Sequence, residues 1–338
     1  MKVCVTGAAG FIGSAFVRQL LAGAGSEVVA FDVLTYAGNL ENLEECRADP
    51  SFSFVKGSVT DEAAVSAALE GCDAVVNFAA ESHVDRGIGQ PEPFISTNIG
   101  GAVVLAEAAA AAGLRMVQVS TDEVYGSIEA PARTDEQAPL RPSSTYAASK
   151  ATADMIVLAA FRRGLDLVIT RCGNNYGPRQ FPEKLVPLFI TNAFADQPLP
   201  LYGDGLNVRD WIHVDDHCRA IDLVLRRGRS GEVYNVGARG DRSNMDVCRA
   251  ILGAAGKPES LISPVNDRPG HDRRYALDAS RIADEFGWAP MVGFEEGLAT
   301  TVEWYAENRA WWERIKTGEY LEFYERLYGE RLADGGEV

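Results

Sequence analysis

The sequence predicts an α/β fold in which a doubly wound parallel sheet is joined to a smaller, discontinuous C-terminal lobe. Short apolar runs rich in β-branched residues alternate with helix-length segments over the first half of the chain. Strands separated by such crossovers pair in parallel and are covered by helices on both faces. At 338 residues and 46% apolar composition, the chain can bury a sizeable core. After about residue 172, Asn, Pro and Gly crowd the sequence, which predicts a second lobe.

The elements of the sheet follow one another in a regular order. The predicted strands are KVCVTG, EVVAFDV, AVVNFAA, MVQVST and LDLVITRC. The predicted helices between them are IGSAFVRQLLAGA, DEAAVSAALEG, GGAVVLAEAAAAAG and ATADMIVLAAFRRG. Three of these helices end at a glycine, and the last carries two arginines in its final turn, as helix C-termini favour.

The chain is expected to leave the sheet and return to it once. The strand–helix alternation stops at GNNYGPRQFPEKLVP, which begins at residue 173. Farther along the chain, GEVYNVG at 231–237 has the pattern of one more strand. The predicted division is therefore 1–172 plus about 211–238 for the sheet domain, and about 173–210 plus 239–338 for the second lobe. The aromatic residues of EWYAENRAWWERI recur at helical spacing and predict core packing or a subunit contact.

Composition excludes several classes of partner. The net charge of −16, with no stripe of Lys and Arg, argues against nucleic acid. The start MKVCVTG lacks the pattern of a secretory signal, and no run of about 18 uncharged apolar residues follows, so we expect no membrane association and a cytoplasmic location. The six cysteines lack metal-ligand spacing and are predicted to be reduced thiols. His213 and His217 could be drawn as a metal site, but a strand-to-helix crossing between them argues against one, and no metal is expected.

A glycine-rich turn connects the first strand to the first helix. VTGAAGFIG places Gly7, Gly10 and Gly13 where a backbone must turn tightly and approach a pyrophosphate at a helix N-terminus. Asp32 ends the second strand, where a carboxylate accepts hydrogen bonds from the adenosine ribose. Asp32 would repel a 2′-phosphate, and no Arg or Lys occurs between it and Arg47. The pattern predicts a Rossmann-type domain that binds NAD and not NADP.

Acid–base residues follow the next strands. STDEVYG places Thr121, Asp122 and Glu123 directly after the apolar run LRMVQVS, where charged side chains are unusual without a chemical role. Tyr146 and Lys150 stand four residues apart in TYAASK, so one helical face carries both. A tyrosine ionises at about pH 10, so using its phenol as a base near neutrality requires a cation. Lys150 and the positive charge of the nicotinamide are expected to lower the pKa of Tyr146.

The order of these features resembles the extended short-chain dehydrogenase/reductase family. Within it, six motifs are together similar to the family of dTDP-glucose 4,6-dehydratases, and the resemblance runs nearly end to end. The motifs are AAESHVDR (79–86), STDEVYG (120–126), NNYGP (174–178), FPEKL (181–185), RDWIHVDDH (209–217) and DRPGHDRRYALD (267–278).

The resemblance implies a reaction and a role for each catalytic residue. Tyr146, assisted by Lys150 and with Thr121 hydrogen-bonded to the sugar, would remove the C4 hydroxyl proton of dTDP-glucose while hydride passes from C4 to NAD. Glu123 would then remove the C5 proton, and Asp122 would protonate the C6 hydroxyl that leaves as water. Asp122 must hold a proton, so its pKa must be raised by burial or by the neighbouring negative charge. The NADH formed would return its hydride to C6 as C5 is reprotonated, so NAD would be regenerated in each turnover and stay tightly bound.

The resemblance also implies two sets of binding residues, carried over by motif. Arg209 and Arg268 would neutralise the diphosphate. The cofactor set is Gly7, Gly10, Phe11, Ile12, Gly13, Asp32, Thr35, Ser58, Val59, Ala79, Ala80, Ser82, Thr97, Tyr146, Lys150 and Asn175. The substrate set is Ser82, Thr121, Asn174, Lys184, Leu185, Pro200, Leu201, Tyr202, Arg209, Asn244, Arg268 and His271.

Three positions depart from the family pattern. Ser58 stands where an Asp usually receives the adenine amino group, which predicts weaker or different adenine contacts. Gly87 and Gly173 each stand where Ser is usual. None of these departures removes a proton-transfer group.

The sequence leaves some alternatives open. A dehydratase acting on a UDP- or GDP-sugar and a 4-epimerase are the alternative activities, and the Thr-Asp-Glu triplet disfavours the epimerase. A catalytically silent NAD-binding regulator is disfavoured because Tyr146 and Lys150 are both present. The resemblance favours a homodimer built by helices that flank the sheet. The preference for dTDP over UDP and the pathway that receives the product stay open.

Overall fold

The framework of the molecule is a seven-stranded sheet. The structure is a computed structural model that describes residues 1–23 and 25–333. The strand order in this sheet is β10 (Val233–Val236), β6 (Asp166–Cys172), β5 (Arg115–Thr121), β4 (Ala74–Asn77), β1 (Lys2–Thr6), β2 (Glu27–Asp32) and β3 (Phe52–Lys56), and every neighbouring pair is parallel. The predicted fold class, an α/β doubly wound parallel sheet, is confirmed. The described strands are β1 (Lys2–Thr6), β2 (Glu27–Asp32), β3 (Phe52–Lys56), β4 (Ala74–Asn77), β5 (Arg115–Thr121), β6 (Asp166–Cys172), β7 (Asn174–Tyr176), β8 (Leu199–Tyr202), β9 (Val208–His213), β10 (Val233–Val236), β11 (Asp241–Ser243) and β12 (Ile262–Val265).

Helices connect most of these strands. Four correspond to the predicted crossovers, namely α1, α2, α5 and α6. The described helices are α1 (Phe11–Ala22), α2 (Glu62–Leu69), α3 (Val84–Gly89), α4 (Glu92–Phe94), α5 (Gly101–Ala112), α6 (Thr145–Phe161), α7 (Leu185–Phe194), α8 (Val214–Arg227), α9 (Asn244–Ala255), α10 (Ser280–Phe286), α11 (Phe294–Glu307), α12 (Arg309–Ile315), α13 (Glu319–Tyr324) and α14 (Glu330–Ala333).

Each face of the large sheet has its own hydrophobic core. Along β1, Val3 and Val5 point to one core and Cys4 to the other, as the two-residue period of a strand requires. The first core contains residues of α1 and α8, and the second contains residues of α2, α5 and α6. Burying both faces explains why the strands read as continuous apolar runs.

The second lobe has a different architecture. Strands β7, β9 and β11 form a three-stranded sheet, and β8 pairs with β12. A third core packs α7, α9 and α11 together and includes the aromatic residues Trp304, Tyr305, Trp311 and Trp312. Within the described residues, the C-terminal aromatic side chains therefore pack into this core. Strand β10 lies parallel to β6, so the predicted return of the chain to the large sheet is confirmed. The predicted domain boundaries stay a prediction.

A continuous helical stretch precedes β5. Glu92–Ala112 is long and apolar enough to cross a membrane by length and composition alone, and it is the one such stretch within residues 1–23 and 25–333. Leu105 and Ala109 on its inner side are fully buried against the sheet. Ile95 and Val103 on its outer side are exposed. A core helix of a globular protein has this two-sided burial.

The strand order places the functional cavities. The chain fills one half of the sheet from β1 through β2 to β3 and then the other half from β4, so the order reverses between β1 and β4. In open α/β sheets, ligands bind outside the carboxyl ends of the strands at this reversal. The carboxyl ends of β1, β2, β4 and β5 carry the glycine-rich turn, Asp32, the segment 78–82 and the Thr-Asp-Glu triplet.

Candidate active site

The glycine-rich turn after β1 admits no side chain at Gly7 or Gly13. Gly7 has a φ of +64°, and a Cβ there would lie 2.7 Å from the Ala79 nitrogen. A Cβ at Gly13 would lie 2.2 Å from the Gly7 carbonyl oxygen. Gly10 is the N-cap of α1, so no side chain caps the helix and its first amides are free to bind an anion. The turn therefore has the shape and polarity of a pyrophosphate cradle.

Asp32 lies at the end of β2 beside this turn. Its Oδ2 accepts a hydrogen bond from the Ala9 amide at 2.9 Å, and its Oδ1 accepts one from the Leu34 amide at 2.7 Å. Burial raises the pKa of Asp32, and these two amide bonds oppose that rise. An ionised carboxylate has about four lone-pair sites, so two remain for ribose hydroxyls. The cavity here has a volume of about 110 Å³ and is lined, among others, by Asp32, Thr35, Ser58, Val59, Ala79, Ala80 and Thr97.

The two acidic residues lie in a short turn that continues β5. Thr121 Oγ1 accepts a hydrogen bond from the Glu123 amide at 3.3 Å and so caps the 3₁₀ turn Asp122–Tyr125. Both carboxyl groups face a cavity of about 260 Å³ that Tyr146 and Lys150 of α6 also line. Other predicted residues on its wall are Gly7, Gly10, Phe11, Ile12, Gly13, Ala80, Ser82, Thr121, Asn174, Asn175 and Lys184.

Asp122 and Glu123 have different electrostatic surroundings. Burial, followed by the charge of Glu123, raises the pKa of Asp122 well above its usual range. Burial also raises the pKa of Glu123, but Arg268, Arg209 and Lys184 oppose that rise. The pair is therefore biased toward a protonated Asp122 and an ionised Glu123. An acid and a base side by side are what an elimination of water requires.

The phenol of Tyr146 lies near Glu123. Burial, followed by the charge of Glu123, raises the pKa of the Tyr146 phenol well above its usual range. The lower pKa expected from Lys150 together with a bound nicotinamide stays a prediction. Lys150 Nζ donates to the Val119 carbonyl oxygen at 2.6 Å, within the backbone of β5. Burial lowers the pKa of Lys150, and Asp154 opposes this effect. The lysine charge is therefore drawn toward β5 and Asp154, and it does not overcome the burial of the phenol.

The histidines considered as metal ligands have other roles. His213 Nδ1 accepts a hydrogen bond from the Asp215 amide at 3.3 Å and caps α8. The His217 Nδ1 atom lies 2.9 Å from Asn175 Oδ1, and burial lowers the pKa of His217 to about 3. Among residues 1–23 and 25–333, no group of three or more His, Cys, Asp or Glu residues could hold a metal ion.

A third cavity extends from Glu123 into the second lobe. Its volume is about 150 Å³. Arg209 is held in place because its Nη2 donates to the Asp272 carbonyl oxygen at 2.9 Å and its guanidinium carbon lies 4.2 Å from the centre of the Tyr275 ring. Predicted residues on the wall are Ser82, Asn174, Lys184, Leu185, Pro200, Leu201, Tyr202, Arg209, Asn244, Arg268 and His271. The carboxylates of Asp85, Glu123 and Glu183 also line it, and its two arginines suit the diphosphate of a nucleotide.

Comparison with known proteins identifies the family. A family model described as GDP-mannose 4,6 dehydratase matches residues 4–301. A dTDP-glucose 4,6-dehydratase from Actinoplanes is 50% identical over 320 residues, covering 92% of this chain and 100% of the relative. The chain belongs to the dTDP-glucose 4,6-dehydratase family. The crystal structure of a family member from Streptomyces venezuelae, with NAD and dTDP bound, is 52% identical, covers 94% of this chain and 100% of that one, and has a TM-score of 0.92.

The same fold also occurs with a different activity. A UDP-glucose 4-epimerase from Thermus thermophilus, solved as a complex with NAD, is 34% identical over 91% of this chain and 100% of that one, with a TM-score of 0.84. The framework is therefore shared by dehydratases and epimerases. The dTDP-glucose 4,6-dehydratase family is distinguished here by its higher sequence identity.

The sequence expectation for this family did not name several residues that line the cavities. Glu183 and Phe181 lie in the quoted motif FPEKL, and His83 and Asp85 lie in AAESHVDR, so the motifs contained the signal. Glu183 pairs with Arg86 at 3.0 Å, and Asp85 accepts from the Tyr202 hydroxyl at 3.4 Å. Tyr328 also lines the third cavity, and no motif near it indicated this role.

The departures from the family pattern have local explanations in two cases. A Cβ at Gly173 would lie 2.5 Å from the Asp210 carbonyl oxygen, so the close approach of β9 requires glycine here. A Cβ at Gly87 would lie 3.2 Å from the Phe94 ring, a tight contact. Ser58 lies in the cavity with Asp32, where its hydroxyl is 2.8 Å from the Thr60 hydroxyl.

Proposed function

We propose that this chain is a dTDP-glucose 4,6-dehydratase, an NAD-dependent hydro-lyase that converts dTDP-glucose to dTDP-4-keto-6-deoxyglucose and water. The observation that carries the proposal is the convergence of Asp122, Glu123, Tyr146 and Lys150 on one cavity beside the dinucleotide cradle. This set supplies a base for C4, a base for C5 and an acid for C6. No net redox partner is required.

NAD fits the cavities along the carboxyl ends of β1, β2 and β4. The turn at Gly7 and Gly13, which a Cβ would fill, would hold the pyrophosphate, and Asp32 would hold the adenosine ribose. Asp32 and the absence of Arg or Lys between it and Arg47 favour NAD over NADP. When bound, NAD supplies a hydride acceptor for C4 and a hydride donor for C6. The remaining contacts proposed for it are those of Phe11, Ile12, Thr35, Ser58, Val59, Ala79, Ala80, Ser82, Thr97 and Asn175.

Tyr146 would act on the C4 hydroxyl. Its phenolate takes the hydroxyl proton, and Thr121 hydrogen-bonds the sugar from the end of β5. Since burial raises the pKa of Tyr146, phenolate forms readily only when positive charge approaches it. Lys150 and the cationic nicotinamide are the charges available, and Lys150 must therefore remain protonated.

Asp122 and Glu123 would eliminate water across C5 and C6. A ketone at C4 acidifies the C5 proton, which Glu123 removes as a carboxylate. Asp122, kept protonated by its burial and by Glu123, donates a proton to the departing C6 hydroxyl. Arg209 and Arg268 would neutralise the diphosphate. The other proposed substrate contacts are those of Ser82, Asn174, Lys184, Leu185, Pro200, Leu201, Tyr202, Asn244 and His271.

The decisive experiment is turnover in deuterated water. Purified protein is incubated with dTDP-glucose, UDP-glucose or GDP-mannose, and the products are examined by mass spectrometry and NMR. We expect dTDP-4-keto-6-deoxyglucose with deuterium at C5, because C5 is reprotonated with a solvent-derived proton as hydride is returned to C6. A sugar inverted at C4 would make the chain an epimerase, and faster turnover of UDP-glucose or GDP-mannose would reassign the nucleotide.

We further propose that the enzyme is a cytoplasmic homodimer that uses the outer faces of α5 and α6. Ile95, just before α5, Val103 of α5 and Met155 of α6 are exposed apolar residues on the helices that flank the sheet, and a dimer would cover them. Light scattering of the purified protein should give twice the chain mass of 36.5 kDa. A monomeric mass at micromolar concentration would contradict the dimer.

A further inference from the structure

A buried ion pair lies one helical turn beyond the catalytic lysine. Asp154 of α6 is 0% exposed, and its Oδ2 accepts a hydrogen bond from Arg171 Nε at 2.9 Å. Arg171 lies on β6 and is 3% exposed. Neither group lines the catalytic cavity or has a role in the reaction as proposed. Charged groups this deeply buried are costly unless each has a partner.

Arg171 continues the pair into a chain of buried hydrogen bonds. Its Nη1 donates to the Tyr125 hydroxyl at 2.9 Å, and that hydroxyl donates to Asn235 Oδ1 at 2.9 Å. Asn235 Nδ2 donates to the carbonyl oxygens of Thr134 and Asp278. Arg171 is therefore fixed from β6 to β10 and cannot turn away from Asp154.

The charge of Asp154 also acts on Lys150. Asp154 Oδ1 is buried and has no hydrogen-bond partner among the described residues. Lys150 and Asp154 are four residues apart on α6, so their side chains share one face. Lys150 is 4% exposed, and its bond to the Val119 carbonyl oxygen supplies only a neutral partner. Asp154 is therefore the anion that compensates the buried ammonium group.

We propose that Asp154 is a positioning residue for the reaction, because its carboxylate, held ionised by Arg171, keeps Lys150 positively charged in the cavity that Tyr146 lines. This inference rests on the proposed function for its consequence in catalysis. The charge of Lys150 itself does not depend on which sugar nucleotide is the substrate.

The other charged groups near Lys150 do not replace Asp154. Burial raises the pKa of Cys172 on β6 to about 12, so its thiol is neutral near pH 7. On the turn after β5, Asp122 is biased toward the protonated form, and the charge of Glu123 is opposed by Arg209, Arg268 and Lys184. Tyr146, one turn before Lys150, is a neutral phenol until it gives up its proton. Arg171 is a second cation and would repel Lys150 if Asp154 were neutral.

The test measures the protonation of Lys150 directly. The chain has only six lysines, Lys2, Lys56, Lys150, Lys184, Lys257 and Lys316. The protein is prepared as purified with its bound cofactor and with ¹³C-labelled lysine, and the Lys150 signal is assigned by its loss in Lys150→Arg. In Asp154→Asn, we expect the Lys150 titration midpoint to move to lower pH by about 1 pH unit or more. The initial rate of cofactor reduction by dTDP-glucose at neutral pH should fall about tenfold or more.

Two further variants separate this role from a structural one. Asp154→Glu keeps the charge and should restore the midpoint toward its original value. Asp166→Asn breaks a half-exposed pair with Arg115 on the same sheet and should leave the midpoint unchanged. If Asp154→Asn does not fold, the double variant Asp154→Asn with Arg171→Met takes its place, because it leaves no unpaired charge at the buried pair and still removes the anion of Lys150, so the midpoint should again fall.

The outcomes distinguish this inference from the proposed function. An unchanged or raised Lys150 midpoint in folded Asp154→Asn overturns the inference, whatever the activity. A lowered midpoint in a protein that does not dehydrate dTDP-glucose would support the role of Asp154 and reject the proposed substrate.

Discussion

Asp122, in the turn after β5, and Asp154, in the middle of α6, are both almost completely buried but have opposite surroundings. Burial raises the pKa of each carboxyl group. Asp154 has Arg171 at 2.9 Å and Lys150 one turn away, so it is stabilised as an anion. Glu123 beside Asp122 raises its pKa further, and although Arg209 opposes this, the net pKa stays well above its usual range. The same burial therefore yields a fixed charge in one place and a proton donor in the other, because the neighbouring charges differ in sign.

The largest effect is expected where the base of the catalytic pair is removed. Glu123→Gln should lower the rate of dehydration by about 10²- to 10⁴-fold, because an amide cannot take the C5 proton. Cofactor reduction by dTDP-glucose should persist, since oxidation at C4 does not use Glu123. Both steps are followed by rapid mixing, with Glu129→Gln on the surface as the control. Undiminished dehydration would mean that the base has been misassigned.

The second effect contrasts the two aspartates in stability. Asp154→Asn should lower the free energy of unfolding by about 3 to 5 kcal/mol, because it leaves Arg171 as an uncompensated buried charge. Asp122→Asn should change it by less than about 1 kcal/mol, because an amide replaces a carboxyl group that is already neutral. Urea denaturation of both variants measures the difference. Equal losses would show that the two aspartates carry the same charge.

A smaller effect is expected in the third cavity, at Arg209. Arg209→Met should raise KM for dTDP-glucose about 10- to 100-fold with little change in kcat, because charge-assisted hydrogen bonds to the diphosphate contribute about 1.5 to 3 kcal/mol. Arg273→Met is the matched control, since Arg273 forms an exposed pair with Asp204. A fall in kcat at constant KM would place Arg209 at the reacting carbons and not at the diphosphate.

The mildest test varies only the pH. Glu123 has a raised pKa, so it becomes protonated, and can no longer act as the base, as the pH falls through that pKa. Asp122 has a pKa raised well above its usual range, so it ionises, and can no longer act as the acid, as the pH rises through that pKa. The rate of dehydration should be bell-shaped, falling about tenfold per pH unit on each limb. In Asp122→Asn, the fall in dehydration rate at high pH should disappear. If the rate still falls at high pH in that variant, a group other than Asp122 causes the fall.

Much of the fold and many positions in the site follow from local sequence. The glycine spacing in the first turn, Asp32 at the end of a strand and the four-residue separation of Tyr146 and Lys150 are properties of short segments. Strand and helix periods fix which way such side chains face. Residues in the second lobe, such as Tyr328, were not predicted as cavity residues because no nearby motif or period indicates them.

Sequence by itself determined the parallel sheet, the dinucleotide turn and the presence of an acid–base pair after β5. Only the tertiary structure decided the charge states, including the raised pKa of Tyr146 and the compensation of Asp154 by Arg171. A pKa depends on burial and on charges a few ångströms away. Arg209 and Arg268 are more than 80 residues from Glu123 in the chain, so only folding brings their charges to it.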